Sequence, residues 1–208
     1  TNMWNVEYDL QEPSFAGRAI DTEYVDVAYD PKLGVYDGEL DELCVIQQPL
    51  AEADYITGVD WAKEKDFTVI RTFRTDVNPW QEVVFLRTGR KPWGEMIRSV
   101  DDIMARYEGL LVHDATGIGN VIDDIIEYDR KKIKPIVLRG RDRESIFTEY
   151  IAGIEQAGMV SPRIKFAHNE HKYVTQKDLF GSGHPPDSFI AGAMAWSQRR
   201  VGHRYQVR

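Results

Sequence analysis

Two hydrophobic periods alternate along the chain after its first quarter. Residues 55–61, 67–74 and 81–87 are strand-like runs joined by short polar connections, which predicts an antiparallel meander. The period then changes. Trp93, Met96, Ile97, Val100, Ile103, Met104 and Tyr107 recur at three- and four-residue steps, the spacing of one helix face. A short apolar strand at 110–113 follows, and Ile118, Val121, Ile122, Ile125 and Ile126 mark a second helix. Residues 134–138 predict another strand. Ile146, Phe147, Tyr150, Ile151 and Ile154 mark a third helix, with Gly158 as its stop. A less regular stretch precedes a last helix from about residue 186 to residue 199.

The predicted order is β-β-β-α-β-α-β-α, a loop, then α. It implies an α/β fold: a mixed five-stranded sheet, three antiparallel strands then two parallel, flanked by helices on both faces. Right-handed crossovers would set the fourth strand beside the first and parallel to it.

Residues 1–54 lack a sustained helical period. Turn signals at Asp30-Pro31, Leu33-Gly34 and Asp37-Gly38 suggest a connector with short strands, one of them at 24–29. Charge divides the chain at the same place. Residues 1–54 carry 13 Asp/Glu against Arg18 and Lys32, a balance of -11; residues 55–208 carry 21 against 24 Lys/Arg, or +3; the total is -8. The acidity belongs to the leading segment, and the mildly basic remainder is compatible with a polyanionic partner. The sequence contains no apolar run long enough for a membrane span and no secretory signal pattern. Cys44 is the only cysteine, which excludes an intrachain disulfide, leaves a Cys-based zinc site without ligands and fits a reducing compartment. Its apolar surroundings, Leu43-Cys44-Val45-Ile46, read as packing rather than as a reactive thiol. The chain also lacks a GxxxxGK[ST] phosphate loop.

On this topology three acids gain a shared position. Asp60 ends the first strand of the meander, Asp114 directly follows the fourth strand, and Asp187 opens the last helix. Parallel neighbours would deliver Asp60 and Asp114 to the carboxyl edge of the sheet, where open α/β sheets bind ligands. Ala191, Ala195 and Met194 would let the last helix lie close enough to bring Asp187 there. Three converging carboxylates raise one another's pKa unless a cation neutralises them. Hard divalent ions suit such oxygen donors, and two of them about 3.5–4 Å apart hydrolyse phosphodiesters. Each acid also has a plainer reading: a turn residue at Asp60, a helix cap at Asp114, a helix-dipole partner at Asp187. Asp66 begins the second strand and is either a further ligand or a solvated hairpin acid. Thr116, Gly117 and Gly119 fit a helix entry as well as a phosphate loop, and His113 and His184 flank two of the acids as candidate proton carriers.

These residues resemble the nuclease domain of viral (bacteriophage) terminase large subunits, in the ribonuclease H-like superfamily. The family's pattern is Gly-x-Asp, then Asp-[Tyr/Phe]-Thr-x-[Ile/Val]. It is matched by Gly58-Val59-Asp60 and by Asp66-Phe67-Thr68-Val69-Ile70. The second motif corresponds to Val112-His113-Asp114-Ala115-Thr116-Gly117-Ile118-Gly119, and the third begins His184-Pro185-Pro186-Asp187. The resemblance covers residues 55–208. It implies a metal-dependent endonuclease that cuts double-stranded viral DNA concatemers during packaging, with two Mg²⁺ or Mn²⁺ ions on Asp60, Asp114 and Asp187. It also implies a portal protein and a small terminase subunit as partners, and the host cell cytoplasm as the place of action. Residues 1–54 resemble, more loosely, the end of the terminase ATPase domain and its linker, with the motor upstream of Thr1. One departure is that Pro186 stands before Asp187 where many members pair two acids, so the number of ligands stays open.

Arg139, Arg141 and Arg143 follow the fifth strand and are expected at the carboxyl edge, gripping phosphate or lying in a solvated loop. Lys131, Lys132 and Lys134 would lie at the opposite edge, and Arg199, Arg200, Arg204 and Arg208 form a basic tail. Two other readings remain: a Holliday-junction resolvase or transposase-like nuclease on the same fold, and a non-catalytic docking module of a packaging motor.

Overall fold

Strand runs that are apolar at nearly every position need cover on both faces, and the computed structural model supplies it. It describes residues 17–62, 67–89, 91–116 and 121–199. The chain enters through helix α1 (Thr22–Ala28), strand β1 (Tyr29–Tyr36) and the short β2 (Leu43–Val45). The meander is β3 (Tyr55–Asp60), β4 (Thr68–Arg74) and β5 (Trp80–Thr88). Then follow α2 (Trp93–Arg106), β6 (Gly109–Asp114), α3 (Val121–Ile125), a 3-10 turn (Arg130–Lys132) and β7 (Ile133–Ile136). The chain continues through α4 (Gly140–Glu155), β8 (Met159–Ile164), α5 (Lys165–Tyr173), α6 (Gln176–Phe180) and α7 (Asp187–Trp196).

The sheet order is β1-β8-β5-β4-β3-β6-β7, with β2 paired to β5. Its centre is the expected arrangement. β4 runs antiparallel to both β3 and β5, β6 runs parallel to β3, and β7 runs parallel to β6. One face packs against α2, whose Met96, Ile97, Val100, Ile103 and Met104 are buried with Tyr55, Val59, Ile70 and Leu111. The other face carries Val69, Phe73, Phe85 and Val112, in one core with residues of α4, α5 and α7. All ten residues of α7 are buried.

The structure departs from the sequence reading in several places. Residues 22–28 form a helix rather than part of a strand. The alternating, β-branched run from Tyr24 to Tyr29 has the look of a strand, but Val25 and Ala28, three apart, bury one face against α4 and α5. The described part of the leading segment is built into the fold: β1 pairs with β8, β2 with β5, and Ile20, Tyr29 and Cys44 belong to the core. The sheet is therefore larger than the five strands expected. The stretch read as irregular contains β8, α5 and α6. Helix α4 begins at Gly140, one and a half turns before the apolar marks that announce it, and α7 stops at Trp196.

A buried polar network ties the helices of this face to the sheet. Arg71 on β4 is fully buried and donates two hydrogen bonds of 2.7 Å to the carboxylate of Glu82 on β5. Its Nη1 reaches the Tyr150 hydroxyl at 3.0 Å and the Ser188 carbonyl at 3.1 Å. The His171 Nδ1–H donates to the Ala167 carbonyl at 2.8 Å, so Nε2 is left to accept from Tyr150 at 3.0 Å. Burial, with the Arg71 charge, pushes the His171 pKa well down, which agrees with a neutral ring. Because Arg71 and Glu82 satisfy each other with paired bonds, neither leaves an uncompensated charge in the core.

Where α7 crosses β3 there is no room for a side chain. A Cβ on Gly58 would stand 1.9 Å from the Ala191 carbonyl oxygen and 2.8 Å from the Ala195 nitrogen. Gly58→Ala must therefore lift α7 from the sheet, at an expected cost of about 1–3 kcal/mol. Urea unfolding is the check: an unchanged midpoint would mean that helix and strand are not in contact there.

Candidate active site

Strand register builds the site. β3 and β6 pair in parallel from Tyr55 opposite Gly109 to Val59 opposite His113. Asp60 and Asp114 come one residue later on their strands, so both side chains leave the sheet on the same face at the carboxyl edge. That face carries α7, since Gly58, two residues before Asp60, lies under Ala191 and Ala195. From Gly58 to Asp60 the strand advances about 6.6 Å. From Ala191 back to Asp187 the helix retreats about 6 Å in the matching direction. The side chain of Asp187 is held from the residue just before β4, where the Phe67 amide donates to its Oδ2 at 3.0 Å. All three acids are buried: Asp60 is 5% exposed, Asp114 3% and Asp187 7%.

The local chain explains each position. Asp114 Oδ1 accepts from the Thr116 amide at 2.7 Å, a turn that closes β6. The Thr116 hydroxyl accepts from the Leu138 amide at 2.8 Å, and the Ala115 amide donates to the Ile136 carbonyl at 2.7 Å. The exit of β7 is thus held beside the exit of β6. Arg139 lies in the connection just before α4 and Arg141 in its first turn, and both are exposed. Arg143 is half-buried, with its guanidinium 5.4 Å from the Phe147 ring centroid and a 3.3 Å bond to the Asp178 carbonyl. Lys134 extends from β7 to Gln198 at 2.8 Å.

His113 belongs to the opposite face, where its ring meets the Trp61 ring edge-on at 6.0 Å. His184 is exposed and donates from Nδ1 to the Pro185 carbonyl at 2.8 Å. Cys44 is buried, and burial raises its thiol pKa to about 11, so it carries no thiolate chemistry at neutral pH. Asp66, Gly117, Gly119, Arg200, Arg204 and Arg208 lie outside the described residues.

One acid was not singled out in the sequence. Glu170 on α5 faces a cavity of about 380 Å³ that Phe67, Phe166, His184 and Asp187 also line, and its Oε2 accepts from the Ser188 amide at 3.0 Å. Burial raises its pKa to about 7, against the opposing bonds from Ser188, with the Asp187 charge adding to the rise. Phe166, Glu170 and Tyr173 share a helix face at steps of four and three, the one signal that pointed to it.

The donors suit a hard divalent cation by type, being carboxylate oxygens on one face of one sheet edge. Among the described residues, no group of three or more His, Cys, Asp or Glu side chains is placed to hold a metal ion as it stands. Among the described residues, no helix is long and apolar enough to cross a membrane.

No family model and no curated protein matches the chain. Solved structures do. The large terminase nuclease from thermophilic phage G20c with bound magnesium is 18% identical, with a TM-score of 0.68 over 86% of this chain and 98% of that one. The large terminase nuclease domain of Thermus phage P74-26 is 18% identical, with a TM-score of 0.63 over 85% of this chain and 94% of that one. The manganese-bound nuclease domain of the bacteriophage SPP1 large terminase is 13% identical, with a TM-score of 0.51 over 71% and 87%. At these identities the likeness establishes the fold: the chain has the ribonuclease H-like architecture of these nuclease domains.

Glu170 gives the fold a pH dependence. Its folded pKa is raised from 4.5 to about 7, so the protonated carboxyl is the form the fold favours. The resulting stability is fully present below about pH 4.5 and is lost as pH rises through 7, roughly 3 kcal/mol in all. In chelator, urea midpoints should fall between pH 5 and pH 8 more steeply for the natural chain than for Glu170→Gln. Parallel slopes would exclude Glu170 as the source.

Proposed function

We propose that this chain is a divalent-metal-dependent endodeoxyribonuclease that cuts double-stranded viral DNA concatemers during genome packaging, by two-metal phosphodiester hydrolysis. The observation that carries the reading is the parallel register of β3 and β6, which aligns Asp60 with Asp114 beneath the start of α7. The magnesium- and manganese-bound neighbours of the same fold support it.

Asp60, Asp114 and Asp187 would hold Mg²⁺ or Mn²⁺, with Asp66 as a further candidate. Bound there, such ions lower the pKa of a water and stabilise the leaving oxygen. The protein's own contribution is rigidity. Asp60 and Asp114 have their spacing set by a hydrogen-bonded ladder, and the Phe67 amide orients Asp187. Arg139 and Arg141, exposed at the start of α4, would meet DNA phosphates, with Arg143 behind them. Such contacts grip the backbone without reading sequence. In this reading the nuclease comprises residues 55–208 together with the part of the leading segment that joins its sheet and core through β1 and β2. The acidic leading segment, residues 1–54, would also connect it to an ATPase domain. The portal protein and small terminase subunit are then its partners, and the host cell cytoplasm its place of action.

Supercoiled plasmid incubated with the purified chain and Mn²⁺ or Mg²⁺ should be nicked and linearised without sequence preference. Asp60→Ala, Asp114→Ala and Asp187→Ala should each lower the rate by about a hundredfold or more while the circular dichroism spectrum is kept. Full activity in any one of these folded variants would defeat the assignment, and joining of a 3′ end to a second DNA would favour a strand-transfer enzyme instead.

A further inference from the structure

Helix α7 starts at Pro186-Asp187, and Pro186 offers no side chain to cap it. The cap comes from another helix. Glu170 on α5, with its carboxylate buried, accepts from the Ser188 amide at 3.0 Å. The carbonyl of the same residue accepts from Arg71 on β4 at 3.1 Å. Both backbone groups of Ser188, which is itself fully buried, are therefore held by polar side chains from different elements. Asp187 is the residue immediately before this clamp. The far end of α7 has separate anchors, among them the Trp196 indole donating to the Glu149 carbonyl at 3.0 Å and the contact at Gly58. Losing the Glu170 bond would loosen the first turn of α7 and leave the rest of the helix in place.

We propose that Glu170 is a positioning residue for Asp187: by fixing the Ser188 amide it sets how far the Asp187 carboxylate reaches toward a divalent cation. The proposal rests on the nuclease reading of Asp187. Groups that orient a ligand without touching the metal typically change affinity by about 10–100-fold when removed. A carboxylate at the start of a helix is sensitive in this way, because a shift of the first turn moves the donor with it.

The test is Mn²⁺ binding by calorimetry on the whole chain, with the Mn²⁺ dependence of plasmid cutting measured beside it. Glu170→Gln keeps an oxygen that can accept from the Ser188 amide, and its Mn²⁺ affinity should stay within about threefold of the natural chain. Glu170→Ala and the space-filling Glu170→Leu remove the acceptor and should weaken Mn²⁺ binding by about tenfold or more. Excess Mn²⁺ should restore their cutting rate. Natural affinity in a folded Glu170→Ala or Glu170→Leu chain would overturn the proposal and leave the nuclease reading standing. A Glu170→Gln chain as weak as Glu170→Ala would also overturn it, because charge rather than the hydrogen bond would then matter. A natural chain that neither binds Mn²⁺ nor cuts DNA would remove the nuclease reading and this proposal with it.

Discussion

Helix α7 lies directly on strand β3, backbone against backbone, and the position of everything else at the carboxyl edge follows from that contact. Gly58 permits it by having no side chain, and Ala191 and Ala195 meet it from the helix. Gly192 leaves space on another side of the helix, where a Cβ would run into the Tyr150 hydroxyl and Arg71 Nη1. A helix held this tightly on two sides cannot slide or roll without clashes, because packed interiors have no slack to absorb the movement. The body of the helix is therefore fixed relative to the strand ends, and the Glu170 bond to the Ser188 amide holds its first turn. Small residues in α7 thus convert the sheet's geometry into a defined place for Asp187.

The electrostatics of this half of the molecule fall into two zones. Deep under α7, Arg71 and Glu82 neutralise each other, and His171 is kept uncharged by burial. The Tyr29 and Tyr150 hydroxyls sit in the same zone with their pKa values raised by burial, Tyr150 to about 12. This network is internally satisfied and holds β4, β5, α4, α5 and α7 in register. At the edge the balance is different. Asp60, Asp114 and Asp187 are buried on the same face, with Glu170 beside Asp187 and raised to about 7. On the proposed reading, the carboxylates at this edge would hold a hard cation, which would in turn attract phosphate.

Much of this arrangement was legible in the sequence, for identifiable reasons. The meander and α2 show clean periods because each buries one continuous face, and the crossover rule then sets β6 beside β3. Asp60 and Asp114 acquire a shared position from that rule alone. What escaped notice was built from residues that do not look like core. β8 carries Ser161, Pro162 and Arg163, which break the alternation that marks a strand. α5 buries Ala167, His168 and His171, so a count of apolar residues passes over it, and Glu170 with it. α1 has the composition of a strand and the burial of a helix because its tertiary partners decide. The role of Arg71 is hidden for a similar reason: a charge inside an apolar strand is intelligible only once Glu82 lies across from it.

The direct test of a cation site at this edge is crystallographic. Crystals of the chain soaked in Mn²⁺ should show anomalous difference density bounded by the carboxylates of Asp60, Asp114 and Asp187, with oxygen distances near 2.1–2.2 Å, close to those of magnesium. Manganese bound only elsewhere on the molecule, or an Asp187 side chain turned away from the other two acids in the soaked crystal, would contradict it.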